Sequence, residues 1–353
     1  VILQEDGAFK SGTLAAQILI DNPTVNERTS FSSTNVANTT GTIYQTNKTE
    51  DGSTVYYYSG NTTNNWVKFG GFYWRIIRTN EDKSVRMLYS GTSHNTTEAY
   101  ISTESSVFNN GHDPMHVGYM YGTSGSLNNN RKNTNSSTIK TKIDTWYKNK
   151  LLSNYDKYIS KTAIYCNDRS IGNGTYSTTD KFSYGTYTRL YTNKNPSYKC
   201  GANISNGLFE TTQSVADKFS ASTEDGGNGQ LKYPLALITA DEIVFAGGKN
   251  YTSLSSPYAW YYTNSTGGSI TGYKWWWSMS PAESIHLNPC VYYVSGSGQN
   301  ENGLLSSEYS VSNTHHIRPV ISLKACVKYS SGNGTSSSPY EVTIDDTCAS
   351  AEN

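Results

Sequence analysis

Short apolar runs broken by Gly, Ser and Asn give residues 273–323 their pattern: YKWWWSMSPAESIHLNPCVYYVSGSGQNENGLLSSEYSVSNTHHIRPVISL. Two alternating runs, Trp275–Met279 and Val291–Val294, predict strands. The second enters a polar turn from Ser295 to Gly303 before the chain returns to the hydrophobic run Ile317–Leu323. Because side chains alternate faces along a strand, Trp275, Trp277 and Met279 are expected to point one way and Trp276 and Ser278 the other. One tryptophan face is then core and the other a recognition surface.

The same pattern places further elements. Leu14, Ile18 and Leu19 form an apolar stripe that Thr13 can cap and Asn22-Pro23 stops, a short helix. From 26 to 65 the chain is dominated by Thr, Ser and Asn, including the triplets that begin at Asn38, Asn47 and Asn61, which are read as chance occurrences rather than glycan acceptors. Residues 66–91 predict two strands around a turn at Asn80-Glu81-Asp82-Lys83, with Phe72, Trp74 and Ile76 on one face and Val85, Met87 and Tyr89 alternating in the second strand. A helix is expected over 137–160 from the spacing of Ile139, Ile143, Trp146 and Tyr147, and a shorter one near Gln213–Phe219. The run 235–238 predicts a buried strand leading into a helix with a capping box at Thr239 and Glu242, ended by Gly247-Gly248. A last hairpin spans 324–348.

Within these runs, Trp276-Trp277-Ser278-Met279-Ser280-Pro281 and Ile317-Arg318-Pro319-Val320, with VYYV between them, resemble the carboxy-terminal half of surface domains of gut Firmicutes and their relatives. That half is similar to the formylglycine-generating-enzyme-like version of the C-type-lectin fold, the scaffold of variable proteins of diversity-generating retroelements. His316 stands where relatives carry glycine. The resemblance implies an α+β chain with a C-type-lectin-like fold: small antiparallel sheets, two or more helices and long irregular loops. Two regions are expected: an amino-terminal helix with a Thr/Asn-rich stalk-like segment over 1–65, read from periodicity and composition, and a C-type-lectin-like ligand-binding domain over 66–353, implied by the resemblance, with its recognition surface in 273–323.

Composition moves the chain outside the cell. Only 35% of residues are hydrophobic and 16% charged, with 29 tyrosines and abundant Asn, Ser, Thr and Gly, a balance unlike that of a cytosolic enzyme. Lys+Arg and Asp+Glu both number 28, which leaves no electrostatic argument for nucleic acid or an anionic membrane as partner. No apolar stretch is long enough to span a bilayer. The first residue is Val1 rather than Met, so a signal, membrane anchor or pilus connection upstream is expected. Five cysteines without zinc spacing read as disulfides, Cys166 with Cys200 and Cys326 with Cys348, leaving Cys290 free; the alternative is five reduced, buried cysteines.

Candidate chemistry is sparse. No GxSxG elbow, HExxH or phosphate loop occurs. His112 and His116 have i,i+4 spacing, but Gly111 and Pro114 argue against the helix that would converge them, and no third ligand is identifiable, so no metal or other cofactor is expected. Arg75, Arg78 and Arg86 read as a solvated or ion-paired strand face. Cys290 lacks an identifiable base and makes a poor nucleophile. Binding needs less: Tyr and Trp supply contact area while Ser, Gly and Asn hydrogen-bond adaptably. If the retroelement resemblance holds, the diversified positions are Trp275, Ser278, Glu283, His286, Asn288, Tyr292, Asn313, His315 and His316, while Trp277, Tyr293 and Ile317 are core. The calcium motifs of sugar-binding C-type lectins are absent, so a protein ligand is expected before a glycan. The alternative is a structural subunit of a pilus or surface layer.

Overall fold

The computed structural model describes residues 9–201, 217–222, 227–298 and 300–349. Its order starts from the strand Phe72–Thr79, FYWRIIRT, whose β-branched and aromatic residues suit a pleated, buried surface. Trp66–Phe69 pairs with it through the Gly70-Gly71 turn, where φ of 65° and 82° requires the left-handed region that glycine enters freely. On its other edge lies Val85–Tyr89, reached through the anticipated Asn80–Lys83 turn. Pro319–Leu323 then pairs with Val85–Tyr89, placing Val320 opposite Leu88, and Leu235–Leu237 pairs beyond it. These belong to a ten-stranded sheet.

The expected division at residue 65 does not divide the core. Thr24–Asn26, Thr42–Thr46 and Val55–Tyr57 continue the same sheet, Tyr57 lying opposite Arg78, and Leu14, Ala15 and Ile18 of the first helix join the same hydrophobic core. That helix, Leu14–Asp21, is capped by Thr13 Oγ1, which accepts from the Ala16 amide. The Thr/Asn-rich stretch is therefore sheet and loop packed on the domain rather than a stalk.

Five strands form the second sheet, in the order Ile171–Asn173, Phe182–Tyr184, Trp276–Ile285, Asn288–Val294 and Leu305–Ser306. Trp276–Ile285 folds back on Asn288–Val294 through His286 and Leu287, whose φ values of 46° and 68° fit a two-residue type I′ hairpin turn without its usual Asn-Gly. The polar stretch 295–303 leads into Leu305–Ser306, not into the Ile317 run, which crosses to the larger sheet. The tryptophan strand is tied across by the Trp277 amide donating to the His316 carbonyl at 3.1 Å and the Met279 amide donating to the Ile238 carbonyl at 2.8 Å.

The helix Thr138–Lys150 is capped by Ser137 and buries its predicted stripe, Trp146 meeting Phe72, Trp74 and Tyr89. It ends ten residues before the expected boundary because Ser153, Asn154 and Tyr155 are weak helix formers; a 3-10 turn, Asp156–Tyr158, follows. Where a short helix was expected, Lys218–Ser220 is a strand paired with Tyr165–Cys166, while Gln213–Ala216 lie outside the described residues. Ala240–Phe245 carries the predicted capping box.

Both predicted disulfides are present, Cys166–Cys200 and Cys326–Cys348, and Cys290 is free and buried. They point to an oxidising compartment. No helix among the described residues is long and apolar enough to cross a membrane.

Arg75, Arg78 and Arg86 are all buried rather than solvated; the ion-paired alternative holds for Arg78 and Arg86, against which Ala240–Phe245 lays Glu242. Glu242 Oε1 accepts from Arg86 Nη1 at 3.0 Å and from Arg78 Nε at 3.3 Å. Arg189 is held between Asp168 and Asp241, each at 2.7 Å. A void of about 10 Å³ lies among these six side chains, room for one water. Arg75 has no carboxylate; it donates to Asn65 Oδ1, Thr62 O and Thr263 O and lies 4.2 Å over the Trp66 ring. Burial, together with the like charge of Arg318, holds its pKa well down.

Candidate binding face

The tryptophan triplet divides by depth rather than by alternation. Trp276 and Trp277 are both buried, and Trp275 remains half-buried at the strand entrance. Trp276 carries the Arg318 guanidinium 4.6 Å above its ring, and Arg318 in turn donates to the carbonyls of Tyr89 and Tyr261 at 3.1 and 2.8 Å. The Arg-Pro motif thus fastens the tryptophan strand to the larger sheet. Trp277 donates through Nε1 to the Ser106 carbonyl at 2.8 Å. This anchors the two-stranded ladder in which His315 lies opposite Ser106.

Around His315 the aromatic side chains converge. Its ring lies 4.2 Å from Trp277, 4.7 Å from Tyr293, 5.6 Å from Trp275 and 5.9 Å from Tyr309, and Trp275 stacks on Tyr293 at 5.4 Å. His316 packs on Tyr100 at 4.3 Å, with Nδ1 3.3 Å from the Ser102 carbonyl. Above them opens a depression of about 360 Å³, lined by Ser105, Tyr273, Lys274, Trp275, Tyr309, Asn313, Thr314, His315 and His316. Tyr273 is 80% exposed, an aromatic ring presented almost wholly to water.

Four of the nine anticipated positions, Trp275, Asn313, His315 and His316, meet in this depression. Ser278 and Tyr292 are fully buried and leave the face, because both sides of their strands are covered. Glu283 leaves it too: it is buried in the sheet, accepts from Ser183 Oγ at 3.2 Å and pairs with Lys181 at 3.4 Å. His286 and Asn288 are exposed but sit at the turn end of the hairpin, since Ile285 pairs with Asn288 whereas Trp276 pairs with Val294. At about 3.3 Å per residue, the stretch from Asn288 to Val294 puts them about 20 Å from the tryptophan end of the hairpin. Missed in the sequence were Tyr273, Lys274, Tyr309, Thr314 and Ser105. An aromatic set in a polar turn, as in TGYKW and SSEYS, is the signal that marks two of them.

His315 reports on the enclosure. Only 6% exposed, it has an Nε2 atom without a hydrogen-bond partner. Burial lowers its pKa from 6.5 to about 4, His316 adding to the shift and a hydrogen bond with the Thr314 backbone opposing it. The unfolded chain therefore takes up this proton first. The stability is present above pH 6.5 and is lost as pH falls from 6.5 to 4, by about 3 kcal/mol for a shift of this size. His315→Phe, in urea titrations at pH 7 and pH 4.5, is expected to remove much of that acid loss; an unchanged difference between the two pH values would exclude His315 as its source.

The other candidate groups are accounted for locally. Pro114–Val117 forms a 3-10 turn capped by Asp113, with His112 exposed and His116 against Tyr121. No group of three metal-ligating side chains occurs among the described residues. Burial pushes the Cys290 thiol up to about 12, with Glu283 adding to the shift, which favours the thiol over the nucleophilic thiolate. No protein family matches the chain, and neither the curated proteins nor the solved structures yield a match.

Proposed function

We propose that the chain is a cell-surface or secreted ligand-binding protein, of adhesin or receptor type, in which a C-type-lectin-like scaffold displays a diversified face. The observation that carries this reading is the open aromatic depression at Tyr273, Trp275 and Tyr309, rimmed by Asn313, Thr314 and His316 and set on a buried Trp276–Trp277–Arg318 base. Rings of this kind supply contact area at low entropic cost, and the short polar side chains beside them adapt to the partner. The mixed α/β architecture dominated by sheets and the oxidised cysteines are compatible with that scaffold and that location. A protein is the proposed partner, and no catalytic role is assigned.

The test is to sequence the encoding locus from many cells of the source population. Nonsynonymous variation is expected to concentrate at Tyr273, Trp275, Tyr309, Asn313, His315 and His316 while Trp277, Arg318 and Pro319 stay constant. Even variation along the chain would end the diversified-face reading.

A second reading, a structural subunit of a pilus or surface layer, draws on a separate observation. Thr24–Asn26 is the terminal strand of the larger sheet, all three of its residues are exposed, and Val25 within it and Ile20 in the preceding helix present apolar side chains to water. An open edge is a template for strand addition. Concentration-dependent self-association in sedimentation favours that subunit; a monomer at all concentrations favours the adhesin.

A further inference from the structure

The depression at Trp275 is one-sided in charge. Of the titratable side chains that line it, Lys274, His315 and His316 are basic and Tyr273 and Tyr309 are phenols; no carboxylate lines it. In a chain whose formal net charge is zero, that bias is local. Lys274 is exposed, and its ammonium enters no ion pair or hydrogen bond among the described residues. Burial lowers the His316 pKa, the Ser102 carbonyl opposes the shift and the Lys274 charge adds to it, so the ammonium acts across the depression. The carboxylates around it, Glu98 near Tyr100 and Glu301 and Glu308 near Tyr293, stand outside the lining, and none of them pairs with Lys274.

The backbone beneath holds these groups ready. The Lys274 amide donates to the Thr271 carbonyl at 3.0 Å, and Thr271 Oγ1 donates to the Lys274 carbonyl at 2.9 Å, which closes the turn that presents Tyr273 and Lys274. The Ser297 amide donates to the Gly272 carbonyl at 2.7 Å. Gly296 fits against this turn only without a side chain, since a Cβ there would stand 2.3 Å from the Gly272 oxygen. On the other side, the His316 amide donates to the Trp275 carbonyl at 2.7 Å. An aromatic wall and a free cation are thus displayed with little ordering left to do when a partner binds.

The occupant that matches both features carries an apolar or aromatic side chain next to a carboxylate. A basic segment would meet Lys274, and like charges brought together at an interface cost free energy. An uncharged one would gain nothing from the ammonium. Resting on the ligand-binding reading above, we propose that the protein partner enters this depression with an acidic segment: an apolar or aromatic side chain packs on Tyr273, Trp275 and Tyr309 while the adjacent carboxylate meets the Lys274 ammonium.

The test uses the full disulfide-bonded chain, saturation-transfer NMR titrations at low salt and three blocked dipeptides, N-acetyl-Trp-Glu-amide, N-acetyl-Trp-Gln-amide and N-acetyl-Trp-Lys-amide. In the wild type the glutamate peptide is expected to bind about two- to fivefold more tightly than the glutamine peptide, the range of an exposed ion pair, and the lysine peptide most weakly. Raising the salt concentration should narrow that spread. Lys274→Glu should reverse the order, and Trp275→Ala should weaken all three peptides. Equal affinities in the wild type, or an order that survives Lys274→Glu, would overturn the acidic preference while leaving the face as a binding site. Binding that Trp275→Ala leaves intact would put the peptides elsewhere, against the face itself and with it the inference. No binding by any of the three would overturn the inference and leave the diversified face to the sequencing test.

Discussion

Glu242→Ala is expected to lower the stability of the folded chain by about 3–5 kcal/mol, the range for removing one partner of a buried ion pair. Glu242 is almost wholly buried and its two oxygens do separate work. One accepts from Arg78 and Arg86, and the other accepts from the Thr239 amide at 2.9 Å to close the capping box of Ala240–Phe245. Alanine removes the sole carboxylate that contacts Arg86 among the described residues, at a site where Arg86 Nε already lacks a hydrogen-bond partner. Arg78 would fall back on the weaker contact with Glu81 at 3.4 Å and on the Tyr198 ring. Guanidinium denaturation of the disulfide-intact protein reads the effect as a drop in midpoint. Glu242→Gln, which keeps side-chain length and an oxygen for the cap, should lose less, and the difference isolates the charge. Lys157→Ala, which breaks the exposed pair with Asp346 at 3.0 Å, should leave the midpoint in place. Equal midpoints for Glu242→Ala and wild type would mean that the arginines are not held by this carboxylate.

Trp277→Ala is expected to cost a similar amount, about 3–5 kcal/mol for emptying a buried indole site, and in addition to dismantle the candidate face. The ring packs edge-on to Phe108 at 5.8 Å and forms one wall of the His315 enclosure. Its Nε1 hydrogen bond holds the Ser106 segment that pairs with His315. Without that wall water reaches His315, whose depressed pKa should rise back toward 6.5, so the loss of stability between pH 6.5 and 4 should shrink. Trp275→Ala, at the half-buried mouth, should change stability far less and leave the His315 titration depressed. NMR titration of the histidine ring protons separates the two variants. A His315 that titrates near 4 in Trp277→Ala would show that the tryptophan is not what keeps it dry.

The contrast between these two tryptophans shows how far one dimension carries. Alternation assigns Trp275 and Trp277 to one face, yet Trp277 lies in the core and Trp275 at its edge, because the strand is covered on both sides and depth changes along its length. For the same reason Ser278 and Tyr292, polar or amphipathic and thus candidates for a surface, are enclosed. The buried arginines were readable only in part: Arg78 and Arg86 read as solvated or ion-paired, and it takes a helix more than 150 residues later to bring Glu242 against them. His286 and Asn288 shared a stretch with Trp275 but not an end of the hairpin.

Local rules were sufficient where their causes were local. The Thr13 cap, the Thr239–Glu242 capping box, the apolar stripe of Ile139, Ile143, Trp146 and Tyr147, the Asn80–Lys83 turn and the pairing of four cysteines follow from hydrogen-bonding capacity, periodicity and loop length within a few dozen residues. These elements, the mixture of strands and helices and the oxidising compartment follow from the order of residues alone. Which strands share a sheet, the packing of residues 9–65 onto the same core and which aromatic rings reach water were settled by the folded chain. Those outcomes depend on contacts between residues distant in the chain, such as Val320 opposite Leu88 and Tyr340 opposite Val67, and burial at one position is set by the chain that covers it.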